Sequence, residues 1–348
     1  MSRPTLLIPG PIEFDDAVLQ AMSHYSESHT APGFISVFGD TLTQLRQLFQ
    51  TTSPASQPLV VSGSGTLGWD LVAANLSEPA ITRWSCTPTY GANVTQLKAP
   101  IGSRPQIPEI EKALKEKKYK LVTVTHVDTS TGVLSDLKEL SELIQRVSPE
   151  TLLVVDGVCS VGSEEVLFDE WKLDVILTGT QKGLGCPAGL SISMYSGRAI
   201  ESCKTTKPKS PPTSRTPAPH LIHALHTSLT QILSKPLSER FANQKAASAR
   251  VKAAVASLGL KQIASNPADQ ANGMTTIYLP EGVAVPTILP VLAKRGVIFA
   301  GGLHKEIATK YIRVGHMGVS VHDAGRGDVE KAIRVLGEAL EEVGYKKA

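Results

Sequence analysis

The sequence lacks any apolar run that approaches the length of a membrane span, and its first residues contain no hydrophobic region of the kind found in signal peptides. Of its 348 residues, 41% are hydrophobic and 19% are charged, which is typical of a soluble globular protein. A chain of this length can bury a large core, so we expect one large domain and a smaller one. The composition therefore argues against a membrane protein.

The cysteines and the net charge exclude further classes. Cys86, Cys159, Cys186 and Cys203 have neither CxxC spacing nor a Cys/His metal pattern, so we expect reduced thiols in an intracellular, cytoplasmic protein and no metal site. A peroxisomal or mitochondrial location stays open, although the C-terminal Tyr-Lys-Lys-Ala is not the Ser-Lys-Leu peroxisomal signal. The formal net charge of +3 is small and evenly spread, which argues against nucleic acid as a partner.

The complete glycine patterns GxGxxG and GxxxxGK[ST] are also missing, which argues against NAD and ATP as ligands. A shorter glycine turn, Gly63-Ser64-Gly65-Thr66, stands between a predicted buried strand (58–62) and a predicted helix (67–76). Backbone N–H groups at a helix N-terminus favour a phosphate group, and small hydroxyl side chains add donors. The turn therefore indicates a phosphate site, with a plain tight turn as the alternative.

The most informative stretch is 151–196. An aliphatic run ending in Asp156 predicts a buried strand with a carboxylate at its carboxyl end, where α/β sheets bind ligands. A second predicted strand (173–179) leads to Gln181 and Lys182, after which glycines and a proline break regular structure. This pair suits pyridoxal phosphate, because the lysine amine can form a Schiff base with its aldehyde while the carboxylate pairs with its ring nitrogen. Alternatively, Asp156 is a helix cap and Lys182 a solvated loop lysine.

Two further patterns concern polar residues near strands. A loop of small hydroxyl residues (126–132) follows a predicted strand (120–125), and a capped turn is its alternative interpretation; His126 in it is interpreted as structural. Arg313 alternates with the apolar Ile312 and Val314, so it projects from one face of a predicted small sheet. A guanidinium group can bind a substrate carboxylate in two parallel bonds. A surface salt bridge is the alternative for Arg313.

Together these motifs resemble a known family. Asp156-Gly-Val-Cys-Ser followed by Thr-Gly-Thr-Gln-Lys-Gly-Leu-Gly-Cys-Pro-Ala-Gly (178–189), and Tyr-Ile-Arg-Val-Gly-His-Met-Gly (311–318), are similar to motifs of class V aminotransferases, most of all the fungal alanine–glyoxylate and serine–pyruvate enzymes. The resemblance implies the α/β type I fold of pyridoxal-phosphate-dependent transferases. It places a large, mostly parallel sheet domain with an N-terminal arm in 1–235, and a linking helix with a small C-terminal α/β domain in 236–348.

The resemblance also implies functions for single residues and for the whole chain. Lys182 and Asp156 would be catalytic, and Arg313 would bind the substrate carboxylate. The cofactor-binding residues would be Ser64, Gly65, Thr66, Thr129, Asp156, Gln181, Lys182 and Thr216. The expected reaction is transamination of alanine or serine with glyoxylate or pyruvate, with pyridoxal phosphate as cofactor, in a homodimer.

Two segments depart from the family pattern. Residues 77–90 are too few for the usual strand and for the loop whose aromatic side chain stacks on the cofactor ring, and we do not assign that function to Trp84. Segment 204–215, predicted to be a loop, has Thr213 where relatives have a tyrosine that reaches the neighbouring subunit's cofactor. Two alternatives therefore remain, a catalytically impaired or non-enzymatic protein on this fold and a pyridoxal-phosphate-dependent lyase or cysteine desulfurase.

Overall fold

The fold is taken from a computed structural model that describes residues 3–76, 94–205 and 216–347. The predictions for segment 77–90 and Trp84, and for Thr213, lie outside the described residues. The described helices are α1 (Asp16–Met22), α2 (Pro32–Leu48), α3 (Thr66–Leu76), α4 (Ile107–Glu116), α5 (Leu137–Val147), α6 (Gly197–Thr205), α7 (Pro219–Leu233), α8 (Leu237–Ser257), α9 (Val285–Lys294), α10 (Val319–His322) and α11 (Asp328–Glu342). The described strands are β1 (Thr5–Leu6), β2 (Gln57–Ser62), β3 (Leu121–Thr125), β4 (Leu152–Asp156), β5 (Val175–Gly179), β6 (Leu190–Tyr195), β7 (Met274–Tyr278), β8 (Val297–Ile298), β9 (Ala300–Gly301) and β10 (Tyr311–Gly315).

A five-stranded sheet in the order β2-β6-β5-β4-β3 forms the centre of the larger unit. Strands β3, β4 and β5 are parallel, and β6 runs antiparallel to both of its neighbours. All residues of β5 and β6 are buried. The sequence of β5 is mostly apolar, as expected for a buried strand, whereas β6 alternates apolar residues with Ser191 and Ser193. The carboxyl ends of β3 and β4 align, with Thr125 opposite Asp156. The sheet therefore collects the loops after these strands at one edge.

The surrounding helices follow their sequence patterns. Helix α5 buries the predicted apolar stripe of Leu137, Leu140, Leu143 and Ile144, and the Asp136 carboxylate caps it by accepting from the Glu139 N–H. Some boundaries differ from the predictions: α2 begins at Pro32, well before the predicted start at Asp40, because a proline fits the first turn of a helix. Strand β2, predicted to be buried, is partly exposed because it is an edge strand of the described five-stranded sheet.

The C-terminal unit contains a second, antiparallel sheet in the order β7-β10-β9 and a parallel pair of β1 with β8. Its core also contains Leu7 from the N-terminal arm. The predicted single strand 297–300 is divided, since β8 pairs with the arm and β9 with β10. Helix α8 lies between β6 and β7 in the chain, that is, between the strands of the two sheets. None of the described helices is both long and apolar enough to cross a membrane.

Candidate active site

Asp156 is the last residue of β4, and two N–H groups hold its carboxylate. The backbone N–H of Val158 donates to Oδ1 at 3.0 Å, and the indole Nε1–H of Trp69 donates to Oδ2 at 3.0 Å. Parallel strands place this carboxyl end beside the end of β3. The structure thus confirms the predicted strand and rules out a helix cap, because no helix begins at Asp156.

The glycine turn precedes α3 as predicted. Gly63 has a φ of +153°, a conformation that side chains rarely adopt. At Gly65 a β-carbon would lie 2.9 Å from Cγ2 of Val158, so only glycine lets the turn approach the segment after Asp156. The turn therefore lies close to the carboxylate, with the N-terminus of an eleven-residue helix behind it.

Lys182 is largely buried, with 8% of its surface exposed. Its Nζ donates to Oγ1 of Thr129 at 2.6 Å, which joins the loop after β5 to the loop after β3. The solvated-lysine alternative is therefore wrong. On its other side lies the N-terminal arm, where a β-carbon on Gly10 would approach Cγ of Lys182 to 2.6 Å. The arm thus packs against the lysine stem of its own chain.

Arg240, near the start of α8, binds two backbone carbonyls, one in the segment between β4 and β5 and one in the loop that contains Lys182. Its Nε donates to the carbonyl of Gly162 at 2.9 Å, and Nη2 donates to that of Gly183 at 3.2 Å. Burial lowers the pKa of Arg240 to about 10. The linking helix thereby contacts the residue that directly follows Lys182.

Arg313 extends from β10 towards the same loop as Lys182. Its Nε donates to the carbonyl of Gly301 at 2.7 Å, and Nη1 donates to that of Thr129 at 3.2 Å. Partial burial lowers its pKa. Within the described residues no carboxylate pairs with Arg313, so the surface salt-bridge alternative is wrong. Thr129 contacts both basic residues, Lys182 through its hydroxyl group and Arg313 through its carbonyl.

A cavity of about 450 Å³ lies beside Asp156, the glycine turn and the loop that contains Thr129, within the usual size range of small-molecule sites. Lys182 and Arg313 are not among its lining residues, although both contact Thr129. Its lining contains six of the predicted residues, namely Ser64, Gly65, Thr66, Thr129, Asp156 and Gln181. Thr216 is exposed ahead of α7 and is not among the lining residues, so its contact with a neighbouring subunit's cofactor stays a prediction.

The donor set fits pyridoxal phosphate. A carboxylate is available for the ring nitrogen, a buried lysine for the aldehyde, and a glycine turn at a helix N-terminus for the phosphate. His126 behaves as the structural residue that we expected, since it is buried and burial lowers its pKa to about 3.

Sequence analysis missed three residues near this site: Gly10, Trp69 and Arg240. Trp69 carried a detectable signal, because it stands three residues after Thr66, one helical turn beyond the glycine turn. Gly10 and Arg240 contact the lysine loop from distant parts of the chain, so nothing in their local sequence indicates this contact.

The fold and the donor set together define a pyridoxal-phosphate-dependent enzyme of the type I fold. Comparison with known families agrees, since residues 78–321 match the family described as aminotransferase class-V. The chain belongs to this family, and its cofactor is pyridoxal phosphate.

Individual relatives support this assignment. The chain is 39% identical to alanine–glyoxylate aminotransferase 1 of Saccharomyces cerevisiae, over 92% of this chain and 93% of the yeast protein. It is 30% identical to L-aspartate–glyoxylate aminotransferase of Paracoccus denitrificans, over 93% of this chain and 88% of that protein. The crystal structure of ureidoglycine–glyoxylate aminotransferase from Bacillus subtilis superposes with a TM-score of 0.90 at 26% identity, covering 100% of this chain and 95% of that chain.

Proposed function

We propose that this protein transfers the amino group of a small amino acid, alanine or serine, to glyoxylate or pyruvate. The observation that carries the proposal is the position of Thr129, which contacts both the buried Lys182 and Arg313. No described carboxylate forms an ion pair with Arg313. An α-amino acid needs both partners, a basic group near its α-carbon and a guanidinium group for its carboxylate. The names of the three relatives share glyoxylate and differ in the amino donor. The choice of alanine as the donor therefore rests on the yeast enzyme, the most similar of these three.

Each residue has a definite part in this proposal. Arg313 binds the α-carboxylate of the substrate in two parallel bonds, which also orients its α-carbon. Lys182 takes the proton from the α-carbon of the amino donor and passes it to the bound cofactor, and in the second half of the reaction it gives a proton to the α-carbon of the amino acid that forms. Thr129 holds the amine of Lys182 beforehand. Asp156 holds a positive charge on the ring nitrogen. When bound, pyridoxal phosphate supplies the aldehyde and the electron-withdrawing ring that transamination requires.

Further parts of the proposal concern the assembly. We place the large domain in 1–235 and the linking helix with the small domain in 236–348. We also propose a homodimer in which the exposed Thr216 of one subunit contacts the cofactor phosphate of the other. A cytoplasmic location completes the proposal, with cell fractionation as its test.

The described cysteines do not favour the desulfurase alternative. Such an enzyme needs a thiol that forms a thiolate and reaches the substrate. Cys159 and Cys186 are buried, and burial raises the pKa of the Cys186 thiol to about 12. Cys203 is partly buried on α6, and burial raises its pKa as well.

An assay of the purified protein with added cofactor tests the proposal. We expect alanine and glyoxylate to give pyruvate and glycine at a rate proportional to enzyme, with serine as a second donor. Aspartate, serine and ureidoglycine should be compared with alanine at equal concentration. A protein that binds pyridoxal phosphate and turns over none of these pairs would support the non-enzymatic alternative. Release of sulfide from cysteine would instead support the desulfurase.

A further inference from the structure

The indole of Trp69 is the one side chain in the described structure that donates a hydrogen bond to Asp156. Trp69 lies on α3, is partly buried, and packs against an apolar cluster, as Val158 also does. Indole has a single donor and no acceptor. A partly buried indole therefore forms its most stabilising hydrogen bond with an ionised oxygen. Here its Nε1–H donates to the Asp156 carboxylate, which lines the cofactor cavity.

Two glycines set the position of this indole. A β-carbon at Gly65 would lie 2.9 Å from Cγ2 of Val158, and one at Gly68 would lie 3.0 Å from Cβ of Leu177. Gly65 directly precedes α3, and Gly68 lies in its first turn. The start of α3 can therefore approach β5 and the segment that follows Asp156, which brings Trp69 within reach of Asp156.

The two donors determine how the carboxylate is turned. The Val158 N–H binds Oδ1 and the Trp69 Nε1–H binds Oδ2, so rotation about the Cβ–Cγ bond would break both bonds. A carboxylate has about four lone-pair positions, and two remain free. Since Asp156 lines the cavity, a ring nitrogen there can use one of the free positions without displacing Trp69.

We propose that Trp69 is a positioning residue that fixes the Asp156 carboxylate for the ring nitrogen of the cofactor. The same helix begins at the glycine turn, so α3 connects the phosphate site with the ring-nitrogen partner. Movement of α3 would disturb both ends of the cofactor together. The proposal rests on the assignment of Asp156 as the partner of the ring nitrogen.

Trp69→Phe tests the proposal, because it removes the donor and keeps an aromatic ring. We expect the Kd for pyridoxal phosphate, measured by absorbance titration, to rise about tenfold, the lower end of the range for a charge-assisted hydrogen bond. The melting temperature without cofactor should stay within a few degrees of wild type, and the rise in melting temperature on adding cofactor should shrink. In the assay, kcat should fall while the KM for alanine stays unchanged, since Arg313 is intact.

Two variants complete the design. Trp69→His restores an N–H donor on a smaller ring and should recover part of the affinity. Trp171→Phe removes an indole that packs against the core of the large unit and does not line the cavity, and it should leave the Kd unchanged.

The outcomes separate this inference from the assignment of Asp156. Asp156→Asn should weaken cofactor binding if that assignment holds. One outcome would overturn the inference alone. In it, Asp156→Asn binds pyridoxal phosphate more weakly than wild type, whereas Trp69→Phe binds it as tightly as wild type or more tightly. Wild-type affinity in Asp156→Asn would overturn the assignment and the inference together. A lower melting temperature of the cofactor-free Trp69→Phe protein would also overturn the inference, since it would show a role in folding.

Discussion

The two sheets contribute to the site in different ways. The five-stranded sheet presents Asp156 at the end of β4 and Lys182 in the loop after β5. Other side chains hold them, Trp69 and Thr129 respectively. The C-terminal sheet presents Arg313 from the middle of β10, and two backbone carbonyls hold it. We call the part of the site around Asp156 and Lys182 the cofactor half, and the part around Arg313 the substrate half. Specific side-chain partners fix the cofactor half, whereas no described carboxylate forms an ion pair with the guanidinium group of the substrate half. We expect changes in the first half to alter the chemical step, and changes in the second to alter substrate affinity.

The largest expected effect is that of Lys182→Ala. The variant loses the amine that would hold the cofactor and move the proton, so kcat should fall by about 10²–10⁴-fold or more. The rate is measured by stopping alanine–glyoxylate reactions at set times and determining the glycine formed. Circular dichroism checks that the variant is folded. Lys235→Ala is the matched control, because Lys235 is an exposed lysine that pairs with Glu239. Retention of both activity and the cofactor absorbance in Lys182→Ala would mean that another lysine holds the cofactor.

Gly10→Ala tests the arm against the lysine stem. The new methyl group would lie 2.6 Å from Cγ of Lys182, at a φ of +115°, so Lys182 must shift. We expect kcat to fall by about 10²-fold, the cost of displacing a reacting group by roughly 1 Å. Gly33→Ala is the control, since no atom lies within 4 Å of a β-carbon at Gly33 in α2. Equal kcat in the two variants would contradict a close approach of arm and lysine.

Arg313→Lys tests the substrate half. A lysine keeps the charge but loses the planar, two-bond geometry, so the KM for alanine should rise by roughly 10- to 100-fold, the equivalent of one or two charged hydrogen bonds. The Kd for pyridoxal phosphate should stay the same. The control is Arg295→Lys in the same unit, where the arginine pairs with Glu338 and Glu342. A loss of cofactor affinity in Arg313→Lys would show that the two halves are not separable.

The smallest expected effect is on acid stability, and one buried histidine in each unit is chosen to measure it. Burial lowers the pKa of His126 in the larger unit and of His316 in the C-terminal unit, each to about 3. Below pH 6.5 the unfolded imidazole binds a proton that the folded one excludes, so stability falls as pH falls. Each histidine should cost about 1 kcal/mol between pH 6.5 and 5.5.

Urea unfolding of His126→Gln and His316→Gln at these two pH values measures the effect. Each variant should lose less stability on acidification than wild type does, by about that amount. An unchanged pH dependence in one variant would mean that its histidine titrates normally or that its unit does not unfold in the measured transition.

Much of this fold was predictable because the signals are local. Apolar runs such as 151–156 indicate buried strands, and the stripe of Leu137, Leu140 and Leu143 indicates a helix face. Element boundaries were less predictable. Strand 297–300 is divided between two sheets because its partners, β1 and β10, come from opposite ends of the chain.

The sequence by itself indicated the family, through the resemblance of its motifs, and it predicted Asp156, Lys182 and Arg313 as site residues because these residue types suit the chemistry of that family. Only the tertiary structure decided what holds these side chains. Trp69 reaches Asp156 across 87 positions in the chain and Thr129 reaches Lys182 across 53. Gly10 approaches the lysine from the N-terminal arm. Such contacts depend on how strands and helices pack, and packing brings together residues whose local sequences contain no information about each other.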